Sequence, residues 1–144
     1  MSTRDRQPQP IGRAFARGVL AAMAMSGARG LTSNLDLMEE TPPETVVKQT
    51  VPGLLSQMSP GQRAAFAEAV HWAYGGTGAA VCGLLPTPIR SSRVAGVAYG
   101  IGIWLGFEAV VAPALGVRNP QEKIVGRAML ALDHALYGII IAGR

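Results

Sequence analysis

Both histidines of the chain fall in near-copies of one pentapeptide, HWAYG at 71–75 and HALYG at 134–138. The same copies carry Tyr74 and Tyr137, two of the three tyrosines; the third, Tyr99, also precedes a glycine but has no histidine beside it. Glu68 stands three residues before His71, Asp133 directly precedes His134, and Glu108 and Arg29 interrupt other apolar stretches. Imidazoles and carboxylates set in apolar surroundings suit buried hydrogen-bond networks, proton transfer or metal ligation. Glu68-x-x-His71 has the spacing of di-iron carboxylate bundles, but such a site needs the motif twice, and Leu130 or Ala131 stands where the second acid belongs. His71 and His134 as a pair could instead ligate a b-type haem or a metal ion. No motif assembles a Ser-His-Asp arrangement, and no Cys pair exists for zinc, Cys82 being the one cysteine. GGTGAAVCG and YGIGIWLG resemble phosphate-binding loops only superficially, because they fall mid-helix and not between a strand and a helix. The expectation is therefore a non-enzymatic protein without a resident cofactor.

The elements that must position these groups are membrane helices. Hydrophobic residues make up 49% of the chain and charged ones 15%, against about 25% charge in soluble domains. Four apolar runs, at roughly 12–33, 60–85, 93–115 and 122–142, predict four transmembrane helices. Their short links demand antiparallel neighbours, so the expected fold is an all-α antiparallel bundle, a single membrane domain over 1–144. Ser59-Pro60-Gly61-Gln62 gives the second helix a start signature of N-cap, N1 proline and capping glutamine. Gly18, Ala22 and Ser26, then Gly96 and Gly100, and Gly102 and Gly106, recur every four residues and offer narrow faces for close helix contact or dimerisation. Residues 1–28 also fit a cleaved signal peptide as a rival to the first span. Between the first two helices, 42–58 predicts an amphipathic segment lying in the outer interface, or folded as a lid over the bundle mouth.

Charge sets the orientation. The sequence pI is near 9.8, yet the basic residues form no stripe for nucleic acid. They cluster beside apolar runs, as Arg4, Arg6, Arg13 and Arg17, then Arg90 and Arg93, then Arg144. The link before the second helix carries Asp36, Glu39, Glu40 and Glu44 against Lys48. The positive-inside rule places both termini and the 86–93 turn in the cytoplasm of a multi-pass membrane protein, although Arg118, Glu122 and Lys123 in the third link argue the other way. With that topology Arg29, Glu68, His71, Glu108, Asp133 and His134 all fall in one slab, roughly 5–15 Å below the outer surface. Glu68, His71 and Tyr74 share a stripe, as do Arg127, His134 and Tyr137, while Trp104 and Glu108 share a face. The layer reads as a network tying helices together in a structural or accessory protein. The alternative is a pathway for protons or a small solute. The bilayer is the expected partner, with a homo-oligomer or a larger membrane complex beyond it and no nucleic acid.

H-x-x-Y-G in the second run, Y-G, W-L-G-F-E and P-A-L-G-V in the third, and D-H-A-L-Y-G in the fourth resemble the YagU-type family of small bacterial inner-membrane proteins over about residues 12–142. The resemblance implies several membrane spans and no assigned reaction. The family pattern often has His where this chain has Glu108, so no role that needs a third imidazole is implied here.

Overall fold

The computed structural model of the protein describes residues 10–34, 42–117 and 124–142. Arg4, Arg6, Asp36, Glu39, Glu40, Arg118, Glu122, Lys123 and Arg144, on which the orientation argument draws, lie outside the described residues. Helices joined by short turns make up the described residues, with no strand among them. The long helices are α1 (Ile11–Asn34), α4 (Pro60–Gly83), α6 (Arg93–Gly106) and α8 (Ile124–Ile141). Short helices α2 (Pro42–Thr50) and α3 (Pro52–Leu55) precede α4, α5 (Thr87–Arg90) joins α4 to α6, and a π turn (Phe107–Val111) leads from α6 into α7 (Ala112–Ala114). Two stretches, Arg93–Ala114 and Ile124–Ile141, are long and apolar enough to cross a membrane.

Local chemistry sets the boundaries. Ser59 accepts a hydrogen bond from the Gln62 amide while the Gln62 side chain accepts from the Ser59 amide at 2.8 Å, a reciprocal cap that starts α4 behind Pro60. At the other end of α4, Arg90 Nη1 donates to the Gly83 carbonyl at 3.2 Å, satisfying one of the acceptors that a helix end leaves open. The outer segment is not one helix. Pro52 drives Val51 out of the helical region, to φ −133° and ψ 51°, and breaks the segment into α2 and α3. Pro113 has no N–H and crowds the carbonyl four residues back, so the helix through 107–111 widens, and the Ala112 amide bonds to the Phe107 carbonyl five residues earlier. Gly116, at φ 68°, then ends the run in a Schellman motif, with the Val117 amide on the Ala112 carbonyl and its own amide on that of Pro113.

Glycine governs which helices touch. A Cβ on Gly18 would collide with the Gly75 carbonyl, Gly76 and Ala79, so α1 and α4 run antiparallel in backbone contact. A Cβ on Gly96 would strike Gly138 and Ala142, and one on Gly100 the His134 carbonyl, which presses α6 antiparallel against α8. Among the described residues Gly102 and Gly106 have no neighbour within 4 Å, so none of those residues packs on the second small-residue face of α6. Helix α1 also packs on α8, around a core of Ala21, Met25, Ala79, Cys82, Tyr137 and Ile141. Val47 of α2 is buried with Leu55 and Ala67, which fixes α2 over the start of α4. Between α4 and α6 there is no comparable close approach; side chains bridge them, Tyr99 donating to the Gly78 carbonyl at 2.7 Å and Tyr74 meeting Phe107 edge-on at 6.1 Å.

Candidate functional site

The space left between α4 and the α6–π–α7 segment is a cavity of about 230 Å³. Val70, His71 and Tyr74 form its α4 wall, and Trp104, Phe107, Glu108 and Val111 the facing one, with Leu115 at the rim. Leu130 and His134 of α8 close the back, and Arg29 reaches in from α1. Pro43 and Val46 of α2 also line it, so this part of the outer segment lies against the cavity. The π turn lies in the lining itself: Phe107, Glu108 and Val111 belong to the five residues where the helix is widest.

Of the eight residues singled out from the sequence, five, namely Arg29, His71, Tyr74, Glu108 and His134, line this cavity. Glu68 does not. It turns to α1, where Ser26 donates to one carboxylate oxygen and Arg29 Nη2 stands 3.9 Å from the other. Ser26 also accepts from Arg29 Nη2 and from Trp72 Nε1, each at 3.1 Å, and its hydroxyl proton has the Ala22 carbonyl at 3.1 Å as a second acceptor beside Glu68. Arg29, only 3% exposed, is held in this cluster, whereas Glu68 at 32% keeps one edge towards the surroundings. Tyr137 is buried and donates to the Gly75 carbonyl at 2.5 Å, joining α8 to α4. It borders a second, small pocket of about 20 Å³ that His71 and His134 also line. Asp133 is half-buried and outside both linings, because the residue beside His134 on a helix points about 100° away.

The cavity's polar atoms are few and specific. His134 Nδ1 lies 2.8 Å from the Leu130 carbonyl, which can only accept, so this nitrogen carries the proton and Nε2 of the neutral ring is an acceptor. The Trp104 ring lies beside it, centroids 6.4 Å apart and tilted by 33°. Trp104 Nε1 and His71 Nε2 are both buried without a hydrogen-bond partner. Unpartnered buried polar atoms are uncommon, and each costs about 1–3 kcal/mol. Both belong to side chains that line the cavity, with the nitrogens themselves buried behind its surface. Among the described residues no group of three or more His, Cys, Asp and Glu is placed to hold a metal ion.

Three participants escaped the reading of the sequence: Ser26 as a hydrogen-bond hub, Trp72 as its donor, and Trp104 as an unsatisfied donor. Ser26 carried a signal, since it is the polar member of the small face Gly18–Ala22–Ser26. No family model matches the chain, and neither curated proteins nor solved structures include a significant match to it.

Proposed function

We propose that the chain is a four-pass protein of the bacterial inner membrane, non-enzymatic and accessory in type, that holds a small uncharged molecule in the cavity between α4 and α6. The membrane part of this reading draws on length and surface. Helices α1 and α4 have 24 residues each, about 36 Å at 1.5 Å per residue, against about 30 Å of hydrocarbon. Large apolar side chains face outward on every long helix, among them Leu20, Val81, Leu105, Val110 and Leu132, each more than half exposed. With both termini cytoplasmic, as the flanking arginines suggest, the cavity lies in the outer half under the α2 lid. The YagU-type resemblance carries the same expectation of several spans without a reaction.

The observation that carries the binding part is the cavity itself, about 230 Å³ and largely apolar, with His71, Trp104, Glu108 and His134 in its lining. The polar layer then divides into two working parts. Ser26, Arg29, Glu68 and Trp72 join α1 to α4. His71, Trp104, Glu108 and His134 face the guest. This division favours a binding role over glue alone.

Fluorobenzene provides the test, a neutral ring read by its ¹⁹F signal in nanodiscs containing the full chain. Saturable binding is expected, and it disappears in Val46→Trp, which fills the cavity from the lid. Uptake that rises linearly, as in empty nanodiscs, and is indifferent to Val46→Trp overturns the binding role. In a Cys82→Ser background, thiol labelling at Ser56→Cys from outside and at Ser91→Cys only from inside is expected; labelling of both from one side overturns the topology.

A further inference from the structure

Few residues of the cavity lining are open to the surroundings, and those few lie together. Val70 is 39% exposed, Tyr74 43% and Leu115 49%, although each contributes to the lining. On the α2 side Pro43 is buried and Val46 half-buried, and Val47 seats that helix on Ala67 and Leu55. The opening is therefore on the flank of the bundle, between α4 and the π–α7 segment.

The frame of the opening follows from helix direction. Tyr99 donates to the Gly78 carbonyl and Tyr74 meets Phe107 edge-on, so α4 and α6 run antiparallel and are bridged up to that level. One turn further along, Val70 and Val111 come level with each other. The Tyr74–Phe107 contact is thus the sill of a window, with Val70 and Val111 at its sides. Helix α2, resting on Ala67 about a turn beyond Val70, is its upper edge.

What lies outside the window decides what enters. Its exposed rim residues, Val70, Tyr74 and Leu115, carry no charge, and Ala73 and Val110 extend the uncharged surface on either side. Counted from Ala64, where the apolar run of α4 opens, Val70 and Tyr74 lie about 9 and 15 Å along the helix, within the about 30 Å of hydrocarbon in the proposed setting. Charged and strongly hydrated solutes are scarce at that depth, because they must first shed their water.

We infer that the cavity takes its guest sideways from the hydrocarbon layer, through the window framed by Val70, Tyr74, Phe107 and Val111, and that the guest is a neutral, lipid-soluble molecule rather than a water-borne solute. This inference rests on the proposed membrane setting and binding role, and adds the class of guest and its route. An engineered apolar cavity of about 150 Å³ holds benzene, so about 230 Å³ has room for one substituted ring. A guest that is already in lipid has left water behind, so its hold on the cavity comes from packing against the walls.

Tryptophan fluorescence tests the route, because Trp104 lines the cavity while Trp72, the other of the two tryptophans, belongs to the α1–α4 seam. In nanodiscs holding the full chain with Trp72→Phe, Trp104 is expected to lose most of its emission to phospholipids brominated in mid-chain. Little should be lost to acrylamide, a small neutral quencher that stays largely in water. Val70→Phe narrows the window and is expected to weaken quenching by the brominated chains while acrylamide quenching stays low. Stronger quenching by acrylamide, quenching by neither agent, or brominated-chain quenching that Val70→Phe leaves unchanged overturns lateral entry. Saturable fluorobenzene binding in the same nanodiscs then leaves the binding role standing, whereas its absence overturns both. Where Trp72→Phe folds poorly, the unaltered protein is expected to show the same order of quenchers, and the reverse order overturns the inference.

Discussion

At the Gly96–Gly138 crossing the backbones of α6 and α8 touch, whereas the same α6, continued past Trp104, stands off from α4 far enough to leave about 230 Å³ between them. The first region is built from residues with almost no side chain: Gly18, Gly75 and Gly76 on one pair of helices, Gly96, Gly100 and Gly138 on the other. The second is built from rings and long chains, His71 and Tyr74 on α4, Trp104 on α6 and Phe107 at the start of the π turn. In the proposed membrane setting no hydrophobic force would draw the helices together, so close backbone contact would supply the cohesion. One part of the molecule therefore supplies cohesion, and the other can remain imperfectly packed, with polar atoms in need of partners. A cavity with unsatisfied donors survives because the glycine contacts hold the helices that frame it.

The contrast breaks most visibly at Gly100. In Gly100→Ala the new Cβ meets the His134 carbonyl, a backbone atom that cannot swing aside, and a loss of about 3 kcal/mol is expected in reversible unfolding from mixed micelles. Gly102→Ala, with nothing within 4 Å, is the control and should be neutral or gain up to about 1 kcal/mol. Equal losses at both positions would show that close approach is not what matters. The next effect belongs to the polar seam between α1 and α4. Glu68→Gln removes the negative partner of buried Arg29, and a loss of about 2 kcal/mol is expected, non-additive with Ser26→Ala in a double-mutant cycle. Strict additivity would mean that the four residues do not act as a unit. The smallest effect is Tyr137→Phe, which deletes one hydrogen bond to the Gly75 carbonyl while keeping the ring. About 1 kcal/mol should be lost, with fluorobenzene affinity unchanged. A shift in affinity there would blur the line between the two regions.

Helices were legible because their signals are local: the Ser59–Gln62 cap, the apolar runs, the glycine after Leu115. The break at Pro52 was equally local, since the residue before a proline avoids the helical region, yet the regular apolar spacing of 46, 47, 51, 54, 55 and 58 suggested one continuous helix. The π turn was not legible in the same way. Pro113 signals a disturbed helix, but whether the chain kinks, breaks or widens depends on what packs against it. Facing was the harder matter. Glu68 and His71 are three residues apart and were set on one stripe, but α4 lies between two neighbours, so the first turns to α1 and the second to the cavity. Tyr99 drew little notice without a histidine beside it, although it bridges α6 to α4. Depth follows from counting along a helix, whereas direction depends on where the other helices stand.

His134 is gripped twice. Its ring is tied to its own helix through the Leu130 carbonyl, and its peptide carbonyl is pressed by Gly100 of α6, so the back wall of the cavity has little freedom to adjust. The opposite wall is different: Pro43 and Val46 belong to a nine-residue helix bounded by the Pro52 break. On the proposed binding role, the α8 wall would set how strongly a guest is held once inside, and the short covering helix would set how quickly it arrives and leaves. Loosening that helix by substitution at its exposed end, at Gln49 or Thr50, should speed entry and exit together and leave the equilibrium constant where it was.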